Sequence, residues 1–261
     1  MTVGLTTISW EPLGGVGILR FDRPEQLNGM TNTMAREFHE TLTSIAADPS
    51  IAVVVLTGRG RAFCPGADLK HYSGGGGDEP IKPEYFRVPV LLHEMPQVTI
   101  AAINGACAGA GLGYALACDL RYAAQGARMN TAFLDVAVAG DMGVPWTLPR
   151  IVGAGRAREL SLLPRRIEAD EALGLGMVNG VFAPERLLDE VLQRAERIAA
   201  SSPTARRTMK AHYVAADSMG FGEFVDLETE AHMRISTSAD TREAFRAFVE
   251  KRPPRFTGDG R

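Results

Sequence analysis

The segment VTIAAINGACAGAGLGYALACDL, residues 98–120, decides the fold of this 261-residue chain. It joins a β-branched apolar run at 98–103 to a glycine-containing turn at 104–113, and then to a helix-like segment that ends at Asp119. Small residues at the end of a strand let the backbone come close to a ligand. The start of a helix leaves amide N–H groups unpaired and partially positive. The segment therefore predicts a strand–turn–helix unit with a binding site at the turn.

A second stretch of the same kind comes earlier in the chain. FCPGADLK, residues 63–70, follows another apolar run at 51–56. Two such turns facing one another could hold a single carbonyl oxygen as it becomes an oxyanion. Helix-like segments at 84–95 and 109–118 alternate with these strands, and further short strands are predicted at 120–123 and 178–182. Alternation of this kind predicts parallel strands joined by helical crossovers.

The ends of the chain complete an α/β organisation. Residues 5–22 predict two strands around Gly14 and Gly15, and residues 33–47 predict a helix with one apolar stripe, made of Met34, Phe38, Leu42 and Ile45. From residue 185 the pattern is helical, at 185–200, 203–216, 221–234 and 239–251. We therefore predict a β/α core with the site in residues 1–195, and a helical region, 196–261, that packs on the core or on a neighbouring subunit.

The segment YSGGGGDEPIKP, residues 72–83, lacks the apolar side chains that would order it strongly. It predicts a surface loop. Its position just after the first glycine-containing turn leaves a second interpretation open, in which the loop closes over a substrate.

Composition excludes several classes of function. Apolar residues make up 45% of the chain and charged residues 23%, as in ordinary globular proteins. The formal charge of −3 argues against a nucleic-acid partner. No apolar run has the length of a membrane span. The three cysteines have neither C-x-x-C nor zinc spacing and the five histidines are scattered, so we expect no metal, reduced thiols and a cytoplasmic location.

Six blocks in order along the chain resemble the crotonase (enoyl-CoA hydratase/isomerase) superfamily. They are RPEQLNGM at 23–30, FCPGADLK at 63–70, NGACAGAGLG at 104–113, DLRYAA at 119–124, LPRIVG at 148–153 and FVEKR at 248–252. The resemblance implies a crotonase-like spiral of ββα repeats with a C-terminal helical region, and an enzyme that acts on acyl-CoA. It also implies no permanently bound cofactor, coenzyme A being part of the substrate, and a homotrimer or dimer of trimers.

The resemblance also implies site residues. The backbone N–H groups of Ala67 and Ala110 align with the two oxyanion-hole donors of the family. The positions expected to bind coenzyme A are Arg23, Leu27, Gly29, Ala67, Asp68, Leu69, Lys70 and Lys251. The positions expected to line the acyl pocket are Gly109, Gly111, Gly113, Phe133 and Trp146.

The acid/base part of the site departs from the hydratase pattern. Hydratases of this family hold one water between two glutamates. The first aligns with Gly113 and the second with the segment around Phe133, so the sequence predicts a void and an aromatic ring in their places. Addition of water by the paired-glutamate route is therefore not expected.

One carboxylate stands at an informative position. Asp141 lies where hydratases have a glycine, and the resemblance places it with dienoyl-CoA isomerases and with ring-opening isomerases of the phenylacetate type. Apolar neighbours such as Val138 and Met142 would raise its pKa toward a value useful for proton transfer. The alternative is an aspartate that caps the following helix. The preferred reading is a double-bond isomerase with Asp141 as acid and base.

Three other readings stay open at this point. Family membership alone favours a hydratase. An aspartate at this position could also be a nucleophile, as in aryl-CoA dehalogenases or a thioester hydrolase. That reading needs a histidine base, and only His93 precedes the 98–103 strand closely enough. The missing glutamates also allow an acyl-CoA-binding protein without activity.

Overall fold

A computed structural model describes residues 4–74 and 79–258 of the chain. Within these residues it forms two β-sheets surrounded by helices. The strands are β1 (Ile8–Leu13), β2 (Val16–Phe21), β3 (Val53–Gly58), β4 (Ala62–Cys64), β5 (Val98–Ile103), β6 (Ala106–Ala108), β7 (Leu120–Ala124), β8 (Arg128–Asn130), β9 (Ile167–Glu168) and β10 (Gly180–Phe182). The α-helices are α1 (Asn32–Ala46), α2 (Leu69–Ser73), α3 (Val88–Glu94), α4 (Ala110–Ala117), α5 (Val144–Val152), α6 (Ala154–Leu162), α7 (Ala169–Gly174), α8 (Leu187–Ala199), α9 (Pro203–Ala216), α10 (Phe221–Ile235) and α11 (Ala239–Val249).

The larger sheet has the strand order β1-β2-β3-β5-β7-β10. β1 and β2 form the antiparallel hairpin expected around Gly14 and Gly15. Every other neighbouring pair in this sheet is parallel, as the alternation of strands and helices predicts. The crossovers are helical because parallel strands cannot be joined by a tight turn.

The smaller sheet, with the order β4-β6-β8-β9, was not predicted from the sequence. Its strands are only two or three residues long, too short to show an alternating pattern. They explain the chain path, because β3 leads into β4, β5 into β6 and β7 into β8, and a helix follows each pair. This is the predicted spiral of ββα repeats.

The core lies on both faces of the larger sheet. All six residues of β3 are buried, and so are the four residues of the apolar stripe predicted on α1. Phe21 on β2 connects α1 to β4. Its ring centroid lies 4.7 Å from that of Phe38 on α1 and 5.0 Å from that of Phe63 on β4. Such contacts add to the energy of burying apolar area. They also fix β4 beside β2, which sets the position of the turn that follows β4.

The predicted helix at 84–95 is interrupted. The structure has a 3-10 turn at Pro83–Arg87 and then α3, each with a proline in its first turn. Proline is favourable at that position and unfavourable inside a helix, so the two prolines divide the segment. The proposed loop at 72–83 includes residues 75–78, which lie outside the described residues. The residues on either side of 75–78 are joined through Asn32. The Tyr72 hydroxyl donates to the Asn32 side-chain oxygen, and the Asn32 side-chain amide donates to the carbonyl of Glu79.

The C-terminal helices are anchored by one buried amine. Lys210 on α9 pairs with Asp119 at 2.8 Å and donates to the carbonyl of Gln97 at 2.7 Å. The predicted boundary between residues 195 and 196 falls inside α8, which packs against β3 and β5. α8 therefore completes the core, and the region beyond it begins near residue 200.

Within residues 4–74 and 79–258, no helix combines the length and apolar character that crossing a membrane requires. The same residues contain no group of three or more histidine, cysteine, aspartate or glutamate side chains arranged to hold a metal ion. All three cysteines are free and buried.

Candidate active site

The first expected amide donor lies just after β4, in the turn that contains Gly66 and Ala67. Ala67 forms a short parallel bridge with Met30. Met30 N–H donates to Gly66 O at 2.8 Å, and Asp68 N–H donates to Met30 O at 2.9 Å. In this parallel bridge Met30 makes both hydrogen bonds, to the residues on either side of Ala67, so the N–H and C=O of Ala67 itself take no part in the pairing. The N–H of Ala67 therefore points away from Met30, and no backbone group in the described part of the chain accepts it.

The second expected donor is the first residue of α4. Gly109 ends the turn after β6, and its own N–H donates to Asn130 O at 3.2 Å. The first backbone bond of the helix runs from Gly113 N–H to Gly109 O, and no side chain caps the helix start. The N–H of Ala110 is thus one of the unpaired donors at the positive end of α4.

The two turns are in contact with each other. A Cβ atom at Gly66 would lie 3.2 Å from Ala108 O and 3.6 Å from Gly109 Cα. Gly66 has a φ of 102° and Gly109 a φ of 51°, conformations that glycine adopts far more readily than other residues. The backbone angle favours glycine at both positions, and at Gly66 the close approach of Ala108 O favours it as well. Their contact brings together the two residues that follow them, Ala67 and Ala110.

Gly111 and Gly113 allow α4 to pack closely against the backbone. A Cβ at Gly111 would lie 2.1 Å from Cys64 O. A Cβ at Gly113 would lie 2.4 Å from Met142 Cβ and 2.8 Å from Met142 O. The prediction of a void at Gly113 is therefore wrong. The space that a side chain would need is filled by the segment that follows Asp141, so neither glycine leaves room for an acyl group.

Phe133 connects the second donor to the acid. Its side chain is 9% exposed. Cε1 lies 3.9 Å from the Cβ position of Gly109, and Cδ2 lies 4.0 Å from that of Gly140. One ring thus contacts the residues that precede Ala110 and Asp141. The start of α4 and the turn that carries Asp141 are therefore packed against the same side chain.

Asp141 is half-buried and its Oδ1 atom has no hydrogen-bond partner among the described residues. Burial raises the pKa of this carboxyl above its ordinary value. The alternative of a helix cap does not fit, because α5 begins after Gly143 and receives no side-chain cap. Met142 next to it has a φ of 48°, which is rarely adopted outside glycine. The turn therefore holds the carboxyl inward at a cost in backbone strain.

Sequence reasoning missed Tyr114, which follows Gly113 on α4. Its hydroxyl is fully buried and lacks a partner in the described part of the chain. Burial raises its pKa most, and the nearby Cys64 and Asp141 raise it further. The signal was present, because a tyrosine is conspicuous in the otherwise small and apolar helix AGLGYALA.

A cavity of about 790 Å³ opens beside the first donor turn. It is lined by Glu25, Gln26, Leu27, Gly29, Arg61, Pro65, Ala67, Asp68, Leu69, Lys70 and His71. Six of the eight positions expected to bind coenzyme A are in this set. Arg23 is not, because its guanidinium is held by Asp68 and the Gly29 carbonyl. Lys251 is not either; it is exposed just after α11.

Trp146 and His93 lie together on the outer side of α5. The Trp146 ring stacks on the Arg150 guanidinium at 3.6 Å and contacts the His93 ring at 5.5 Å. Both line a separate cavity of about 270 Å³. His93 Nε2 lies 3.0 Å from Asp217 Oδ2. The structure therefore does not bring Trp146 to the acyl pocket, and it uses His93 to contact the end of α9.

The chain is similar to known proteins along nearly its whole length. The family profile described as "Enoyl-CoA hydratase/isomerase" matches residues 11–259. The 1,2-epoxyphenylacetyl-CoA isomerase of Escherichia coli is 35% identical over 250 residues, 94% of this chain and 95% of that protein. The peroxisomal Delta(3,5)-Delta(2,4)-dienoyl-CoA isomerase of Arabidopsis thaliana is 33% identical, covering 91% of each chain. The crystal structure of an enoyl-CoA hydratase from Bacillus anthracis is similar with a TM-score of 0.90, at 32% identity, covering 97% of this chain and 100% of that one.

Proposed function

Because the chain belongs to the enoyl-CoA hydratase/isomerase family of the crotonase superfamily, we propose that it moves a double bond within an enoyl-CoA thioester. The observation that carries the proposal is the half-buried carboxyl of Asp141, which has a raised pKa and an Oδ1 atom that no group in the described residues pairs with. A carboxyl of this kind is suited to accept and return a proton near neutral pH. Gly113 and Phe133, at the two positions that resemble the hydratase glutamates, offer no second acid.

In this proposal the coenzyme A portion binds in the 790 Å³ cavity and the thioester carbonyl reaches the two turns. The N–H groups of Ala67 and Ala110 then donate to the carbonyl oxygen. Each well-placed donor stabilises a developing oxyanion by roughly 3–4 kcal/mol. The support is that neither amide has a backbone acceptor within residues 4–74 and 79–258, and that the glycines before them are in contact.

The proton is carried by Asp141. Its carboxylate removes a proton from the carbon next to the thioester carbonyl, and the electron pair of that C–H bond forms an extended enolate. The protonated carboxyl then returns the proton to the far end of the enolate. The double bond moves by one position and the molecular formula does not change. The apolar Phe133 ring beside the site limits the access of water.

Isomerisation and proton exchange test the proposal together. The intact chain is given a 3-enoyl-CoA, and separately a saturated acyl-CoA in heavy water, with product and deuterium content read by mass spectrometry. We expect double-bond migration and exchange at the carbon next to the carbonyl. Asp141→Asn should lower both by about 10³-fold while leaving the affinity for coenzyme A unchanged. Asp135→Asn, an exposed acid in the same segment, is the matched control.

Each alternative result would indicate a different function for this chain. With a 2-enoyl-CoA as substrate, a 3-hydroxyacyl-CoA as the main product indicates a hydratase. Free acid released with Asp141 transiently acylated indicates a hydrolase with a carboxylate nucleophile. Tight binding without any exchange indicates an acyl-CoA-binding protein. Full activity in Asp141→Asn contradicts the mechanism.

We also propose the assembly and location that accompany this function: a homotrimer or dimer of trimers, in the cytoplasm, with no permanently bound cofactor and no nucleic-acid partner. Support for assembly comes from the C-terminal helices, whose large apolar side chains are exposed. These are Met209, Tyr213, Phe221, Met233, Phe245, Phe248 and Val249. Free thiols are consistent with a reducing compartment. Light scattering of the full chain gives the subunit number, and a monomer would contradict this part.

A further inference from the structure

An ion pair with little solvent exposure lies next to the first donor turn, which contains Gly66 and Ala67. Arg23 Nη2 is 2.9 Å from Asp68 Oδ2, and the two side chains are only 17% and 11% exposed. The sequence placed both residues among those that bind coenzyme A. The structure shows that the two charges pair with each other, and that only Asp68 of the two lines the cavity.

The same guanidinium holds a second element. Arg23 Nη1 donates to Gly29 O at 2.5 Å. The other oxygen of Asp68 accepts the N–H of His71 at 3.1 Å, which caps α2. Asp68 thus connects Arg23 to the start of α2, and Arg23 connects Asp68 to the chain that precedes Met30.

These contacts surround the Met30–Ala67 bridge. Gly29 comes just before Met30, and Asp68 comes just after Ala67. Arg23 therefore contacts the neighbour of each bridged residue and holds the two backbones together. Without it, two backbone hydrogen bonds, of 2.8 and 2.9 Å, would have to hold the turn alone. The direction of the Ala67 N–H is set by this pairing, since Met30 bonds to Gly66 and Asp68 and leaves the amide of Ala67 facing away from it.

Arginine suits this position better than lysine does. Its planar fork offers donors in fixed directions, so one side chain reaches the carboxylate and the carbonyl at once. Arg23 also contributes to lowering the pKa of Asp68, although burial, the largest influence, acts in the opposite direction. Asp68 therefore stays ionised at neutral pH and keeps the ion pair.

We propose that Arg23 is a positioning residue: by holding Asp68 and Gly29 together it aims the Ala67 N–H at the thioester oxygen, rather than binding the phosphates of coenzyme A. The inference rests on the proposed function, because it needs an oxyanion to form. It assigns a role in enolate stabilisation to a side chain that does not touch the substrate.

The test separates orientation of the carbonyl from binding of the nucleotide. Arg23→Gln, Asp68→Asn and the double variant are compared with the unaltered protein. Arg20→Gln is the matched control, since Arg20 is on β2, has 18% side-chain exposure and pairs with Glu11 away from the turn. Deuterium exchange of a saturated acyl-CoA at saturating concentration measures enolate formation. Calorimetric titration with coenzyme A and with dephospho-coenzyme A measures nucleotide binding.

We expect Arg23→Gln and Asp68→Asn each to slow exchange about 10- to 100-fold, as a small misplacement of a catalytic group does. The double variant should be no slower than about the worse single one, because the pair acts as a unit. The affinities of Arg23→Gln for the two nucleotides should change less than about twofold, and Arg20→Gln should match the unaltered chain. The infrared stretch of the bound thioester carbonyl should move toward its value in free solution, a change that a loss of stability alone does not produce.

The opposite pattern overturns the inference. If Arg23 binds phosphate, Arg23→Gln will weaken coenzyme A binding, lose the preference over dephospho-coenzyme A and keep the exchange rate at saturation. If both variants exchange at the normal rate with an unchanged carbonyl stretch, Arg23 has no positioning role. If the unaltered chain shows no exchange at all, the proposed function fails, and the inference fails with it.

Discussion

Gly113 lies against Met142 so closely that a methyl group on residue 113 would come within 2.4 Å of Met142 Cβ. The contact joins the first turn of α4 to the strained turn that carries Asp141. A glutamate at position 113, as the resemblance to hydratases would require, has no space in this structure. The glycine at position 113 and the inward position of Asp141 therefore depend on the same packing contact.

Gly113→Ala should damage both stability and turnover. The added Cβ must displace residues 141–143, and overfilling a packed site costs roughly 1–3 kcal/mol. We expect the urea midpoint to fall and the isomerase rate to fall with it. Gly155→Ala on α6 is the matched control, because nothing lies within 4 Å of its Cβ position. If Gly113→Ala keeps full activity, the packing does not position Asp141.

Ala110→Pro should remove one amide donor with little harm to the helix. Ala110 is the first residue of α4, a position where proline is well tolerated. We expect the deuterium exchange rate to fall about 10²-fold, the typical loss for one oxyanion-hole donor. Ala154→Pro is the control, since Ala154 also starts a helix after a glycine of positive φ. Normal exchange in Ala110→Pro, with the protein folded, would remove this amide from the mechanism.

Asp141→Asn should stabilise the protein at neutral pH. Burial raises the pKa of Asp141 in the folded state above its unfolded value, so its ionised form opposes folding. The cost is absent below the unfolded pKa, where both states are protonated, and appears as pH rises through the folded pKa. Solvent screening at this half-buried site limits the gain to about 1 kcal/mol, or roughly 2–4 °C in Tm for a protein of this size.

Thermal melting of Asp141→Asn and of the unaltered chain at a series of pH values measures this effect. The difference in Tm should be largest near pH 7 and should vanish below about pH 4. A variant that is less stable at neutral pH would show that the carboxylate has a stabilising partner.

Lys210→Met should weaken the attachment of the C-terminal helices. The amine is 5% exposed, and removing it deprives Asp119 of its ion pair. The carboxylate keeps the backbone and hydroxyl of Thr99, so we expect a loss of roughly 2–3 kcal/mol in the free energy of unfolding, toward the low end for a broken buried pair. Lys82→Met, at an exposed lysine, should change it by less than about 0.5 kcal/mol. Equal stability of the two variants would mean that the Lys210–Asp119 ion pair does not hold α9 in place.

The long elements and the family were predictable from the sequence, whereas the finer geometry was not. β3 and β5 are continuous apolar runs, and α1 has a clear helical stripe that the structure confirms as buried. The two- and three-residue strands of the smaller sheet show no period. α5 contains Pro149, which argues against a helix on local grounds and is tolerated only by tertiary packing.

The candidate site was predictable in its parts and not in its contacts. Both glycine-containing turns were found, because positive backbone angles and close approach demand small residues. The filling of the space at Gly113 by Met142 depends on residues 29 positions apart. The pairing of Arg23 with Asp68 depends on β2 and β4 ending side by side. Relations of this kind come from the fold and cannot be inferred from local pattern.

The burial of the three cysteines has a practical consequence. Burial raises the pKa of Cys64 to about 12, and that of Cys118 likewise; Cys107 is also shifted upward by burial. Thiolate, the reactive form, is then on the order of 10⁻⁵ of the Cys64 and Cys118 populations at pH 7. Thiol-directed electrophiles should leave these three cysteines of the folded chain untouched. A single cysteine engineered on the surface would consequently take up a spectroscopic label alone, with the native thiols left in place.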